Sequence, residues 1–226
     1  MAKGKLYDTN LALTATLSGG TWSAALPLSN LKKEERYIAA PARCEDATDL
    51  AKSRFDVTLE NPRVVDLVAL LFHTISLSAN YRITLAGLGE TLDEAANVSE
   101  WSSVYGRLYD SASLPWEAAN WWTGQVTQEE VDLVPRHLWI SIEETLVSAI
   151  RIEIDDQTHP DGEFDIGGLL IGAGFAAEIN YERGRDLTLI SRDLHDETPS
   201  GRVITEPRTG RRQLAVNYAM LDTVEA

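Results

Sequence analysis

The residues best suited to chemistry are aromatic rings and carboxylates. Trp101, Tyr105, Tyr109, Trp116, Trp121 and Trp122 fall close together, among Ser, Asn, Gly and Asp rather than in an aliphatic run. Rings so placed can stack on sugar faces, anchor a protein interface, or fold back as the core of a long loop. Glu153, Asp155 and Asp156, and also Glu143 and Glu144, imitate the acid pair of a glycosidase. That chemistry needs two carboxyls facing each other about 5–10 Å apart across a cleft. In an alternating strand Glu153 and Asp155 share one face, which reads as a solvated acidic surface. Asp155, Asp161 and Asp165 surround a Pro-Asp-Gly turn at 160–162. Hard oxygen donors on a loop suit Ca²⁺, yet the spacing is not that of an EF-hand and Asp-Gly between strands is first a turn signal.

Other chemistries lack support. His73, His137, His159 and His195 make no HxH or HExxH pair, and the single thiol, Cys44, can form neither an internal disulfide nor a Cys-based zinc site. No G-x-S-x-G, Walker loop or strand-linked G-x-G-x-x-G occurs. Gly167-Gly168 and Gly172-x-Gly174 flank an apolar run with no helix after it, which suits strand ends and close packing. The expectation is a non-enzymatic chain without cofactor.

Charge narrows the partners. In 226 residues 35 acids face 20 bases, a net charge of −15. This argues against nucleic acid and anionic lipid, both of which need a basic face. Residues 90–165 hold 17 acids against Arg107, Arg136 and Arg151, whereas residues 183–212 hold seven Arg and five acids. Arg183, Arg185, Arg192, Arg211 and Arg212 are therefore candidates for contact with the acidic faces of other subunits. The apolar stretch after the basic N-terminus is short and interrupted by Asp8 and Asn10, so no signal peptide is expected, and no run reaches the ~20 apolar residues of a membrane span.

The elements behind these residues are short apolar runs between turns. Leu11 to Leu17, Thr21 to Leu28, Phe55 to Leu59, Val64 to Phe72, Tyr81 to Leu85, Leu138 to Ile142, Ala149 to Ile154 and Phe164 to Ile171 predict strands at sandwich spacing. Short helices are predicted at Asp46 to Lys52, Thr91 to Val98 and Thr127 to Val134, the last opening on a capping box and stopped by Pro135. Beyond Gly174 strands are predicted at Phe175 to Tyr181, Leu187 to Ile190 and Gln213 to Tyr218, with Ala219 to Glu225 helix-competent. A division follows into a sandwich domain with N-terminal strands, 1–175, and an assembly arm, 176–226.

The blocks SRFDVTL (53–59), RVVDLVALLFHTIS (63–76) and ANYRI (79–83) resemble the tail-tip and baseplate (distal-tail-like) proteins of tailed bacteriophages. So do AIRIEIDD (149–156), PDGEFDIGGLLIG (160–172) and, more loosely, RRQLAVNY (211–218). The resemblance implies an all-β fold: a discoidin-like, galactose-binding-like jelly-roll β-sandwich with short helices and a C-terminal β-rich arm. It further implies a structural subunit of a tail tip or baseplate, forming a homo-oligomeric ring with other tail proteins, located in the virion tail and assembled in the host cytoplasm. The alternative is a carbohydrate-binding module for a bacterial surface glycan, with Trp101, Trp116, Trp121 and Trp122 as its stacking platform.

Overall fold

A computed structural model describes residues 4–33, 38–177, 186–191, 193–197, 203–206 and 211–215. In chain order the strands are β1 (Thr16–Ser18), β2 (Ala42–Cys44), β3 (Arg54–Leu71), β4 (Asn80–Ala86), β5 (Asn97–Val98), β6 (Ser102–Ser103), β7 (His137–Asp155), β8 (Phe164–Ile166) and β9 (Gly168–Gly172). They are followed by β10 (Asp186–Ile190), β11 (Leu194–Glu197), β12 (Val203–Glu206) and β13 (Arg211–Ala215). One short α-helix, α1 (Gln128–Asp132), precedes β7. The chain is an all-β sandwich of jelly-roll, galactose-binding-like topology with short helices.

Residues 7–174 form one compact unit; residues 1–6 with 175–226 form the other. Within the larger unit, β3 and β7 are paired antiparallel along most of their length, from Arg54↔Glu153 to Leu71↔His137. Their two halves have different neighbours. The first half of β3 also pairs with β1, and the C-terminal half of β7 with β4; the second half of β3 pairs instead with β9. The switch falls at register shifts between Thr58 and Arg63 and between Val65 and Leu67. Asn61 and Pro62, which suggest a strand end, sit there on exposed backbone. A bulged, solvent-facing position tolerates a proline that has no N–H for the ladder, so two expected strands are one long bent strand.

The core follows from the period-2 pattern. Phe55 and Val57 of β3, Ile150, Ile152 and Ile154 of β7, and Ile83 and Leu85 of β4 are buried together with Phe164, Ile166, Leu169 and Ile171. Trp22 meets Phe55 and Phe164 edge to face at 5.6 and 6.3 Å. From Val65 to Leu70 every residue of β3 is buried, including Asp66, whose carboxylate accepts the Gly174 N–H at 3.0 Å.

Several expected elements differ. Asp46 to Lys52 is a set of turns rather than a helix, because the Asp46 carboxylate accepts the Thr48 N–H at 3.1 Å and competes with helical pairing. Leu11–Leu13 is a 3-10 turn capped by the Asn10 side chain, and only Thr16–Ser18 of that run is strand. Thr21 to Leu28 contributes one isolated bridge, Trp22 to Cys44. Thr91 to Val98 is turn followed by the two residues of β5.

In the smaller unit Leu6 bridges to Phe175, β10 pairs with β13, and β11 with β12. The expected strand at 175–181 and the helix at 219–225 fall largely or wholly outside the described residues.

Ile152 lies between Phe55 and Ile83 in the ladder and is fully buried. Ile152→Ala is expected to lower unfolding free energy by about 2–5 kcal/mol, measured by urea denaturation.

Candidate functional site

The segment between β6 and β7 carries the aromatic cluster, and its own hydrogen bonds hold it. Leu108 and Tyr109 both donate their N–H to the Gly124 carbonyl at 2.8 Å. Asp110 caps the 3-10 turn Ser111–Ser113 by accepting the Ala112 N–H at 3.1 Å. The Gly124 N–H reaches the Asn120 carbonyl at 2.7 Å. Gln125 ties the loop to the sandwich through Nε2, which donates to the Tyr105 carbonyl at 2.8 Å and Ser103 Oγ at 3.3 Å. The capping box is present on α1: the Glu130 side chain accepts the Thr127 N–H at 2.8 Å and also the Tyr109 hydroxyl at 2.8 Å. These bonds hold the Glu130 carboxyl below its ordinary range. Gly124 has φ +62, and a Cβ there would stand 2.4 Å from the Tyr109 carbonyl oxygen, so no other residue fits this crossing.

On this frame three indoles form one cluster. Trp121 meets Trp116 at 4.7 Å and Trp122 at 4.6 Å, both edge to face, and Trp116 lies 6.3 Å from Trp122. Trp116 is 72% exposed and Trp122 79% exposed, with Trp121 half-buried between them. Edge-to-face contacts are favourable and fix ring planes; each covers part of one ring's face, and the open area is that of Trp116 and Trp122. Trp101 is not in ring contact with them. It covers the Arg82 guanidinium at 4.7 Å, and Arg82 in turn forks onto Glu153 at 2.7 and 2.9 Å.

A cleft of about 360 Å³ follows the loop, lined by Phe72, His73, Thr74, Val134, Pro135 and Arg136 among others. His73 is 2% exposed, its ring edge meets Tyr105 at 5.9 Å, and among the described residues its Nδ1 has no hydrogen-bond partner. Burial, then the charge of Arg136 and of His137, lowers its pKa to about 4, so it is neutral at pH 7. Phe72 holds the left-handed φ of +52, and its N–H donates to His137 Nδ1 at 3.1 Å. Phe72, His137 and Trp139, the last 57% exposed, form a second aromatic row on the outer face of β7. The sequence reading missed this row. Its one signal is that His137 and Trp139 occupy the polar phase of an alternating run whose apolar phase is Leu138 and Ile140.

The acids do other work. Glu153 is bound by Arg82, Asp156 is buried and accepts both the Ser76 N–H and the Ser76 hydroxyl, and Glu143 and Glu144 are exposed on successive residues of β7. No facing pair is built from them. Asp165 is held by Arg43 at 2.7 and 2.9 Å, Asp155 accepts from Gln157 Nε2 at 3.0 Å, and Asp161 sits in the turn closed by Gly162. The three Ca²⁺ candidates therefore answer to separate partners, and no group of three or more His, Cys, Asp or Glu suited to a metal ion occurs among the described residues. No helix of the described residues is long and apolar enough to cross a membrane. Arg183, Arg185 and Arg192 lie outside the described residues; Arg211 and Arg212 open β13, of which the backbone is described.

No family model matches the sequence, and no curated protein matches it. Similar solved structures include chitosan-binding module 1 of a chitosanase/glucanase from Paenibacillus sp. IK-5, at 13% identity and TM-score 0.45 over 74% of this chain and 100% of that one. Another is the family 32 CBM of C. perfringens NanJ in complex with galactose, at 14% identity and TM-score 0.46 over 72% and 97%. A third is a Streptococcus pneumoniae fucose binding module, at 12% identity and TM-score 0.43 over 76% and 98%. The likeness is one of fold.

These structures are sugar-binding modules, which corrects the tail-tip or baseplate expectation. The ring of subunits, the tail-protein partners and the virion location fall with it. The physical reason is visible in the fold. The main blocks behind the tail-protein resemblance, 53–83 and 149–172, lie largely in β3, β4, β7, β8 and β9, which build the core. Apolar alternation there encodes a sandwich and carries no information about a partner.

The His73 shift has a definite sign. The unfolded chain protonates near pH 6.5 and the native chain near 4, so stability is full above about pH 6.5 and lost as pH falls toward 4, by at most about 3 kcal/mol. Urea midpoints of wild type and His73→Phe at about pH 7.5 and 4.5 test this; the variant is expected to lose the smaller amount on acidification.

Proposed function

We propose that the chain is a carbohydrate-binding module whose platform is the indole cluster of Trp116, Trp121 and Trp122. The observation that carries the reading is the exposure of two of these rings on a loop whose own bonds fix their orientation. A pyranose presents an apolar C–H face and a rim of hydroxyls. An indole face buries the first, and the second needs donors and acceptors at the ring edge. Glu117, exposed and next to Trp116 in sequence, would supply an acceptor, whereas Asn120 Nδ2 already donates to the Gln125 carbonyl at 2.7 Å. Each indole covering a sugar face contributes about 1–2 kcal/mol by area. A prepaid loop geometry keeps the ordering cost low. Residues 7–174 would be the binding unit. Trp101, joined to Arg82, would lie outside the platform.

Trp116→Ala and Trp122→Ala are each expected to weaken glycan binding about tenfold or more in calorimetric titration, one decade per 1.4 kcal/mol. Because both rings are exposed, each melting temperature should stay within about 2 °C of wild type. Binding unchanged in the double variant would remove the platform from the reading.

A further inference from the structure

We propose that one edge of β7, from Leu138 to Ile142, receives an added strand: an extended segment of a partner protein in which apolar residues alternate with arginine or lysine. β3 holds one edge of β7 along most of its length, whereas β4 holds the opposite edge only from Ala149 to Asp155. From Leu138 to Val147 this second edge has no ladder partner among the described residues. Its backbone N–H and C=O groups stand open, and a sheet edge in that state is a template for another chain. Neither proline nor lysine blunts it. The space is left by β4, which ends at Ala86; Ser148 Oγ reaches the Ala86 and Gly87 carbonyls at 3.2 and 2.7 Å where the ladder stops.

A slot of about 200 Å³ opens beside this edge, between β7 and β4. Its floor is core, with Ile83, Leu85 and Ile140 buried, and its rim is polar, with Asn97 and Ser102 exposed. The volume falls below the roughly 300 Å³ at which small-molecule pockets begin, and it suits the side chains of a strand. Leu138 and Ile140 point to the core, while Trp139 and Ser141 are exposed on the outer face. An added strand keeps this alternation. Its inner residues enter the slot and must be apolar. Its outer residues lie beside Trp139 and approach Glu143 and Glu144, both exposed, where β7 shifts register against β3. Arginine or lysine gains there from the indole and from opposite charge. The β7 edge of a second copy lacks this chemistry, since residues 137–150 contain neither Arg nor Lys.

The test uses the full chain and three peptides of about eight residues: alternating valine and arginine, the same peptide N-methylated at every amide, and alternating valine and glutamate. Binding and residue-resolved amide exchange are measured together. The valine–arginine peptide is expected to bind saturably and to slow exchange of the open amides between Leu138 and Ile142 about tenfold or more. The N-methylated peptide keeps the side chains, loses the backbone donors and should not bind; the valine–glutamate peptide should not bind either. The double variant Glu143→Lys, Glu144→Lys should weaken the valine–arginine peptide about threefold or more and admit the valine–glutamate one. Equal binding of the N-methylated peptide, binding that leaves those amides unprotected, or no binding of any peptide up to about 1 mM would overturn the added strand. Tighter binding of the valine–glutamate peptide to wild type would overturn the basic partner. Protection of the same amides that rises with protein concentration alone would overturn it too and assign the edge to a second copy.

Discussion

The structure depends on the register between β3 and β7. These strands are the longest among the described residues, and their ladder from Arg54↔Glu153 to Leu71↔His137 sets which face each of their own side chains takes. A slip of β3 by one residue would turn Phe55 and Val57 toward water and bring Asp56 inward, and a slip of β7 would do the same to Ile150 and Ile152 and to Arg151. Charge fixes the same register from outside. Arg151 forks onto Asp56 at 2.7 and 3.0 Å and reaches Asp93 at 2.7 Å, while Arg82 forks onto Glu153 across the neighbouring pair. A one-residue shift would break these bidentate contacts as well as the core.

With that frame fixed, a long irregular segment can be carried without loss of the fold. The loop between β6 and β7 is tied at its start by Gln125 to Ser103 and Tyr105, and at its end by the Arg136 carbonyl, which accepts the His73 N–H at 3.2 Å. Between these anchors the backbone closes on itself at Gly124 and presents the indoles. In the proposed reading the rigid strands supply stability and the self-bonded loop supplies recognition. Removing a ring should therefore alter binding far more than folding, and removing Ile152 should do the reverse.

Much of the fold was legible in the sequence, because burial on one face of a strand writes a period of two. Phe55-x-Val57-x-Leu59 and Ile150-x-Ile152-x-Ile154 are read directly as strands. The capping box at Thr127 and Glu130 is a local interaction and was legible for that reason. What could not be read is set by contacts distant in sequence. The bend of β3 through Pro62 depends on a bulge against β7, and the role of Asp165 depends on Arg43 across 122 residues. The aromatic cluster announced itself by composition, but composition could not separate Trp101 from Trp116, Trp121 and Trp122; only the fold places the first over Arg82. The resemblance to phage tail proteins misled because it lay in core strands, whose pattern many unrelated functions share.

In the proposed function it is the loop indoles that meet the sugar. Of the six tryptophans, Trp22 is packed against the core, Trp101 covers Arg82, Trp139 stands on the outer face of β7, and Trp116, Trp121 and Trp122 cluster on the loop as the proposed platform. Their indole N–H signals in a two-dimensional NMR spectrum, assigned by single Trp→Phe substitutions, separate these places in one titration with glucosamine and N-acetylglucosamine oligomers. Saturating shifts of the Trp116, Trp121 and Trp122 signals are expected, with Trp22 and Trp139 unmoved. Shifts confined to Trp139, or to Trp101, with the three platform signals fixed, would contradict it.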